Sequence, residues 1–257
     1  MDLHDGSSID IKKLSEAEQI ELIENLEWLD RYERQRKFYR FFPDFDATQA
    51  DGSLIHAREK YPKHLEFFAS GAVYRERCFL AANRVGKTIA GAFEVACHLT
   101  GEYPDWWNGR RFHGPVRVWA AGKTNETTRD ILQATLLGEI EYRNGRKGFS
   151  GTGIIPGHTV GESTWKHGVA DLADTVRVKH LRGTSMLGLK SYQQGRGSFE
   201  GTAQHGIWLD EEPPIEIYGE CLTRTATVNG IVMITFTPLE GLSETVMQFL
   251  PKNQRTQ

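Results

Sequence analysis

Cysteine is scarce in this chain and is never clustered. Only Cys78, Cys97 and Cys221 occur among 257 residues, and no two of them form a C-x-x-C pair. This spacing argues against a disulfide framework and a cysteine-ligated zinc site, and it indicates buried thiols in a reducing compartment. The chain also lacks an apolar run of about 18 residues and the apolar N-terminal segment of a signal peptide. We therefore expect neither a membrane span nor secretion.

A large net charge is absent too. The 31 lysines and arginines nearly balance the 34 acids, which leaves a net charge of −3. Any contact with nucleic acid must therefore come from a local basic patch. Internal repeats and low-complexity tracts are also missing. The 39% hydrophobic and 25% charged residues are typical of a globular enzyme. The length suits one large domain with a small appendage.

The N-terminal part predicts a helix that leads into a basic segment. Ser15 and Glu18 have the spacing of a capping box, and apolar residues recur at every third position over residues 20–29. The helix is predicted to continue through residues 31–40, RYERQRKFYR, which hold five basic residues and one acid. This segment is either a basic amphipathic helix in water or a contact for DNA phosphates or a partner protein.

Beyond the N-terminal part, short apolar strands alternate with helices. Strands are predicted over residues 78–82, 116–122, 174–181, 185–192, 206–210 and 230–238, and helices over 56–70, 88–100, 124–137 and 215–225. The third and fourth strands are expected to pair as a hairpin. This alternation predicts an α/β fold with a mainly parallel sheet and helices on both faces. Ligands of such sheets bind at the carboxyl ends of the strands. We expect a helical segment and linker over 1–58 and one α/β domain over 59–257.

The stretch FLAANRVGKT, residues 79–88, ends like a phosphate-binding loop. The motif G-x-x-x-x-G-K-[ST] is matched by Gly86, Lys87 and Thr88, but Ala81 replaces its first glycine. The loop follows a predicted strand and opens a helix, so that its backbone N–H groups would face phosphates. Lys87 would contact the β- and γ-phosphates of ATP, and the Thr88 hydroxyl would bind Mg²⁺. A Gly-Lys-Thr triplet also arises by chance, so the other motifs must decide whether this is a nucleotide site.

Two further strand ends carry candidate site residues. The strand in IWLDEE, residues 207–212, delivers acids at its tip, which is the Walker B pattern. Asp210 is predicted to hold Mg²⁺ through water, Glu211 to activate the attacking water as general base, and Glu212 to be solvated. A strand that ends in a solvated acidic turn is the alternative, which the preceding strand–loop–helix unit disfavours. Thr237, in TFTP, is either a γ-phosphate sensor or a strand cap.

In this order and spacing, NRVGKT, WLDEEPP and TFTP resemble the ATPase domain of the large terminase subunit of tailed bacteriophages, over roughly residues 60–250. The resemblance implies an additional-strand, RecA-like P-loop NTPase fold. It also implies an ATP-driven motor that moves double-stranded DNA into a procapsid. Phage terminases often lack the first P-loop glycine, and this chain has Ala81 in its place. The family often has an arginine four residues before the P-loop lysine, where this chain has Asn83 followed by Arg84.

The resemblance also assigns site residues and partners. It implies catalytic roles for Glu211, Lys87 and Arg84. The implied ATP-binding residues are Ala82, Asn83, Arg84, Val85, Gly86, Lys87, Thr88, Asp210 and Thr237, with Thr88 and Asp210 at the Mg²⁺. The implied partners are the small terminase subunit, the portal protein and further copies in a homo-oligomeric ring in the host cytoplasm. The family's RNase H-like nuclease domain is not expected in this chain, which stops just after the position where such ATPase domains end. No nuclease metal site is expected either, because Asp171 and Asp174 have no third converging acid.

Two parts of the expected site stay open. Gln49, Tyr74 and Arg77 are candidates for contact with adenine. An arginine supplied by a neighbouring subunit is expected at the Walker B glutamate, and its candidates are Arg110, Arg129, Arg146, Arg182, Arg196 and Arg224. A helicase of the same P-loop division and a nucleotide-binding assembly module without efficient turnover are the alternative functions. A helicase needs a second core, for which the length leaves no room, and measured turnover would separate the assembly module.

Overall fold

The computed structural model describes residues 14–48, 52–143, 145–238 and 243–250. The helices are α1 Glu16–Arg34, α2 Pro62–Ser70, α3 Lys87–Thr100, α4 Asn125–Thr127, α5 Ala134–Leu137, α6 Ile215–Ala226 and α7 Glu244–Phe249. The strands are β1 Ala47–Thr48, β2 Leu54–Ile55, β3 Glu76–Leu80, β4 Arg117–Gly122, β5 Ile140–Arg143, β6 Arg146–Phe149, β7 Val160–Trp165, β8 Ala173–His180, β9 Gly183–Ser191, β10 Gly206–Asp210 and β11 Ile231–Phe236. A π-helical segment, Thr128–Gln133, joins α4 to α5.

A seven-stranded sheet in the order β3-β11-β10-β4-β9-β8-β7 forms the centre of the fold. The five strands β3, β11, β10, β4 and β9 are parallel. Strand β8 runs antiparallel to both of its neighbours, β9 and β7. The mainly parallel sheet and the β8–β9 hairpin predicted from sequence are thus confirmed. Strand β11 lies between β3, which precedes the P-loop, and β10, which ends in Asp210. This inserted strand is the feature that defines the additional-strand P-loop division, so the predicted fold class is confirmed.

Helices pack on both faces of the sheet. Helix α3 is buried along most of its length against the face that also carries α2, while α6 packs on the opposite face with Trp119 and Tyr192. Gly91 lets α3 approach β10 closely, because a Cβ atom at this position would lie 2.4 Å from the Trp208 ring. The P-loop helix and the strand that ends in Asp210 are therefore packed directly against each other.

The N-terminal part departs from its prediction after residue 34. The capping box of Ser15 and Glu18 is confirmed, but α1 ends at Arg34 and only a 3₁₀ turn, Lys37–Arg40, follows. Tertiary contacts end the helix: the Gln35 side chain donates to the Ser150 carbonyl over 2.7 Å, and Phe38 is buried at 4% exposure. Phe38 stacks on Phe93 of α3, so this segment packs into the main core.

The second helical stretch, expected over 56–70, begins later, as α2. Pro62 opens it, which is the first helical position that proline favours. Strand β7 and the β5–β6 hairpin were not predicted, because VGESTW and RKGF have no apolar run or regular alternation. Within the described residues, none of the helices has the length and apolar character needed to cross a membrane.

Candidate active site

A cavity of about 890 Å³ opens at the carboxyl edge of the sheet, where β3, β10 and β11 end. The P-loop, the turn after β10 and the end of β11 line it. Its lining includes Asn83, Arg84, Gly86, Lys87, Thr88, Lys123, Tyr192, Asp210, Glu211, Glu212 and Thr237. Three motifs that are far apart in the sequence are thus brought to one cavity, at the position where parallel sheets bind ligands.

The P-loop makes a sharp turn into α3 through two residues in the left-handed region. Gly86 has φ +84° and is the N-cap of α3, and Arg84 has φ +62°. Glycine adopts this conformation without steric cost, but arginine does so at a cost of about 1 kcal/mol or more. The structure therefore holds Arg84 in a strained backbone conformation at the rim of the cavity.

The Lys87 side chain is buried and turned onto its own loop. Its Nζ donates to the carbonyl oxygens of Ala81 at 2.8 Å and Ala82 at 2.6 Å, and to the Thr237 hydroxyl at 3.0 Å. Burial lowers the pKa of Lys87, and the nearby Asp210 carboxylate acts in the opposite direction. These three oxygens satisfy all the donors of the ammonium group, and anionic phosphate oxygens in the cavity would compete for the same donors.

His64 of α2 packs against the P-loop. A Cβ atom on Gly86 would lie 3.1 Å from His64 Nε2, and the His64 ring packs edge-on against Phe79 with 5.0 Å between centroids. Burial lowers the pKa of His64, while hydrogen bonding to the backbone of Gly86 and Val85 acts in the opposite direction. This residue was not predicted from the sequence, since a lone histidine on a helix carries no signal of contact with a loop beyond the next strand.

Asp210 lies beside Thr88 at the end of β10. The Thr88 hydroxyl is 3.3 Å from Asp210 Oδ1, and the Thr235 hydroxyl donates to the same oxygen over 2.6 Å. Trp208 Nε1 in turn donates to Thr235 over 2.7 Å. Burial raises the pKa of Asp210 to about 6, against the effect of the Thr235 hydrogen bond. A hydroxyl and a carboxylate in contact supply the oxygen ligands that Mg²⁺ prefers, so these two residues fit the predicted Mg²⁺ site.

Glu211 and Glu212 differ in their surroundings. Glu211 is exposed and has φ +66°, and its backbone N–H donates to the Thr235 carbonyl over 2.9 Å. Glu212 is half-buried and accepts a hydrogen bond from the Ser243 hydroxyl. The expectation that Glu212 is solvated therefore misses this contact, which Ser243 makes from a position 31 residues further along the chain.

The remaining residues predicted to bind ATP occupy different places. Thr237 is in the cavity as predicted, with its hydroxyl 2.7 Å from Asn83 Oδ1. Ala82 contributes the carbonyl that Lys87 binds, whereas the Val85 side chain is 43% exposed. Asn83 and Arg84 both line the cavity.

The candidates for contact with adenine do not meet in the cavity. The Arg77 guanidinium is buried in an ion pair with Glu94 at 2.5 Å, so it is not available to a base. Tyr74 is 62% exposed and is not part of the cavity lining. Gln49 lies outside the described residues.

Several of the arginines considered for a neighbour's site are paired within this chain. Arg196 and Arg224 both bind Glu220, at 3.0 Å and 2.9 Å. The remaining pairings join Arg129 to Asp130, Arg182 to the His113 carbonyl and Arg110 to the Asn229 carbonyl. Any of these arginines would have to exchange its partner to act on another subunit.

Lys123 and Tyr192 are among the cavity residues that were not predicted from the sequence. Lys123 directly follows β4, the parallel neighbour of β10. Its place at a strand end is the signal that could have identified it. Tyr192 follows β9 and reaches the turn after β10 through its hydroxyl. No sequence motif marks this contact, because it depends on the order of strands in the sheet.

Comparison with known proteins gives consistent similarities. The family described as terminase large subunit, T4likevirus-type, N-terminal, matches residues 78–257. The chain is 39% identical over 267 residues to the terminase large subunit of Salmonella phage P22, a match that covers 96% of this chain and 49% of the relative. It is 26% identical over 266 residues to that of Enterobacteria phage LP7, covering 96% of this chain and 50% of the relative. The chain thus spans about half the length of the curated relatives it matches.

Solved structures of large terminases resemble it more distantly. The HK97 bacteriophage large terminase has a TM-score of 0.49 and 13% identity, covering 80% of this chain and 37% of that one. The large terminase of a thermophilic bacteriophage, solved in complex with ADP, has a TM-score of 0.44 and 14% identity. The latter match covers 69% of this chain and 38% of that one.

Proposed function

We propose that the chain, which belongs to the terminase large subunit family because its residues 78–257 match the model of the N-terminal part of such subunits, is the ATPase motor of phage DNA packaging. It hydrolyses ATP to move double-stranded DNA into a procapsid. One observation carries the proposal: Lys87, Thr88 and Asp210 converge on one cavity at the carboxyl edge of the sheet. These residues supply the cation, the hydroxyl and the carboxylate that hold a nucleoside triphosphate with its Mg²⁺.

The P-loop binds the phosphates in this proposal. Lys87 exchanges the carbonyls of Ala81 and Ala82 for the β- and γ-phosphate oxygens, which carry more negative charge. The backbone N–H groups of residues 82–88 and the N-terminus of α3 surround the same phosphates. Thr237, in contact with both Lys87 and Asn83, registers whether the γ-phosphate is present. Arg84 adds positive charge at the rim.

Thr88 and Asp210 would hold Mg²⁺, with Asp210 acting through water. The ion would supply positive charge that offsets the charge of the phosphates. This role requires an ionised Asp210 carboxylate, although burial raises its pKa to about 6. Glu211 accepts a proton from the attacking water, and Glu212 remains with Ser243.

The assembly follows from the same proposal. The proposed division is an N-terminal helical segment and linker over residues 1–58 and an ATPase domain over 59–257. Among the described residues, Phe38 of the first part is buried and stacks on Phe93 of the second. The motor works as a homo-oligomeric ring in the host cytoplasm. Its partners are double-stranded DNA, the portal protein of the procapsid and the small terminase subunit.

Substitution of the P-loop lysine tests the proposal. We expect Lys87→Ala to abolish ATP hydrolysis, because it removes the cation that holds the β- and γ-phosphates. The matched control is Lys63→Ala on α2, where the lysine is exposed and pairs with Glu66. ATP hydrolysis should be measured for both variants with and without double-stranded DNA. Hydrolysis by Lys87→Ala at the rate of Lys63→Ala would contradict the P-loop assignment. Nucleotide binding without turnover by the unsubstituted chain would favour an assembly module instead.

A further inference from the structure

The Tyr192 hydroxyl lies at the point where three backbone carbonyls meet. It is 3.0 Å from the carbonyl oxygens of both Asp210 and Glu211, and 3.4 Å from that of Ala121. The side chain is 7% exposed and belongs to the apolar cluster between the sheet and α6. A tyrosine has one proton to donate, so the hydroxyl shares it between the carbonyls of the turn that follows β10.

That turn is strained at the residue proposed as the general base. Glu211 has φ +66°, a conformation that non-glycine residues hold only where their surroundings enforce it. Two hydrogen bonds to its backbone do so. Its N–H donates to the Thr235 carbonyl over 2.9 Å, and its carbonyl accepts from Tyr192. The direction of the Glu211 carboxylate depends on this turn, because a different φ would swing the side chain away from the cavity.

The segment that carries Tyr192 is fixed at several points. Gln193 N–H donates to the Lys123 carbonyl over 3.2 Å, and Lys166 Nζ donates to Gln194 Oε1 over 3.0 Å. Lys190 Nζ, directly before the segment, donates to the Ser198 carbonyl over 2.5 Å. These contacts fix the position of the hydroxyl relative to β4 and β9. The hydroxyl in turn holds the turn after β10.

We propose that Tyr192 is a positioning residue for Glu211, which fixes the turn so that the carboxylate faces the γ-phosphate. This inference rests on the proposed ATP hydrolysis. It makes the chemical step depend on one buried hydroxyl whose hydrogen-bond partners are backbone carbonyls. Nucleotide binding, which the proposal gives to Lys87 and the loop amides, does not depend on it.

The test is Tyr192→Phe, which removes the hydroxyl and keeps the ring. We expect kcat for ATP to fall about tenfold, as for a misplaced catalytic group. KM and the affinity for a fluorescent ATP analogue should stay within about twofold of the unsubstituted chain, since a change of that size is below the effect of losing one hydrogen bond. A merely structural role would not separate kcat from binding in this way.

Tyr218→Phe is the matched control. Tyr218 is a buried tyrosine of the same apolar cluster, its hydroxyl donates to Glu76 over 2.6 Å, and it does not line the cavity. Its loss should lower thermal stability about as much as Tyr192→Phe does, with kcat unchanged. An equal kcat for the two variants, or a parallel loss of kcat and nucleotide affinity in Tyr192→Phe, would overturn the inference.

A double substitution shows whether Tyr192 acts through Glu211. In single-turnover hydrolysis, Tyr192→Phe should add less than about twofold to the defect of Glu211→Gln, because residues that act as a unit are not additive. If the rate losses of the two single variants multiply in the double variant, the inference is overturned, while the ATPase proposal stays intact. An unsubstituted chain that binds the analogue without hydrolysing ATP would contradict the ATPase proposal, and this inference with it.

Discussion

Glu211 and Glu212 are neighbours to which we assign different roles, and substitution should separate them. Glu211→Gln keeps the size of the side chain but removes the base, so we expect single-turnover hydrolysis to slow by about 10²–10⁴. ATP affinity should survive, because Lys87 and Thr88 are unchanged. Glu212→Gln should be mild, since a glutamine carbonyl can still accept from Ser243.

Both variants need an ATP affinity measurement beside the single-turnover rate. If Glu212→Gln is the inactive variant, the proposed base is the wrong acid. Loss of ATP affinity in Glu211→Gln would also contradict the account, because it would place Glu211 in binding instead of in the chemical step.

Asp210 should make stability depend on pH in a defined direction. Its pKa of about 6 in the folded chain lies above the ordinary value of 3.8, so the folded state binds the proton more tightly than the unfolded state. Its contribution to stability is therefore fully present below about pH 4 and is lost as the pH rises through about 6. In Mg²⁺-free buffer at neutral pH, Asp210→Asn should be more stable than the unsubstituted chain by about 1–3 kcal/mol.

Denaturant unfolding of the two proteins between about pH 4 and pH 7 measures this difference. The advantage of Asp210→Asn should shrink as the pH falls and vanish near the lower end of the range. A difference in the free energy of unfolding that stays constant with pH would show that burial does not raise the pKa of Asp210.

Single residues of the site were predictable only where a motif marks them. Lys87, Thr88 and Asp210 stand at fixed places after apolar strands, and the structure brings them together as the spacing predicts. Tyr192 and His64 reach the same site through the strand order and through the packing of α2 under the loop. Such contacts depend on tertiary structure, and no local pattern in the sequence encodes them.

At the scale of elements, the close approach of α3 and β10 rests on Gly91. A Cβ at this position would lie 2.4 Å from the buried Trp208 ring, which cannot move aside easily. We expect Gly91→Ala to lower the free energy of unfolding by about 1–3 kcal/mol through overpacking. It should also disturb Thr88 and Asp210, which these two elements carry.

Gly219→Ala in α6 is the control for helix propensity. A Cβ at Gly219 meets no atom of the described residues within 4 Å, so alanine should raise the free energy of unfolding by about 0.5–1 kcal/mol. Denaturant unfolding of both variants is the measurement. Stabilisation by Gly91→Ala similar to that by Gly219→Ala would contradict the close packing of α3 on β10.

Elements with strong local signals were predicted well, and the others were not. Strand β10 was predicted over its observed range, and α1 begins where its capping box places it. The apolar stripe of α1 is largely exposed, with Ile20 at 53% and Ile23 at 55%, although its spacing is that of a core-facing helix. Strand β7 was not predicted because it lies at the edge of the sheet and consists largely of polar residues. Periodicity thus predicts the helix but not what covers it.

At the scale of the whole molecule, the strand order brings the three motifs together. The alternation of strands and helices predicted a parallel sheet, whereas the insertion of β11 between β3 and β10 followed only from the family resemblance. Several candidate arginines are paired within the chain, Arg196 and Arg224 among them. In the proposed ring, a solitary subunit would lack an arginine from its neighbour, and arginines supplied in this way contribute about 10³–10⁵ to turnover in other NTPases.

The most direct test of the account is the ATPase rate of the purified chain at increasing protein concentration, with and without double-stranded DNA and procapsids. We expect slow hydrolysis at low concentration. The rate per subunit should rise with concentration and with added DNA and procapsids, and Lys87→Ala should be inactive throughout. Fast hydrolysis independent of concentration would show that the site is complete within one subunit. A chain that binds ATP but does not hydrolyse it under any of these conditions would contradict the proposal of a packaging motor.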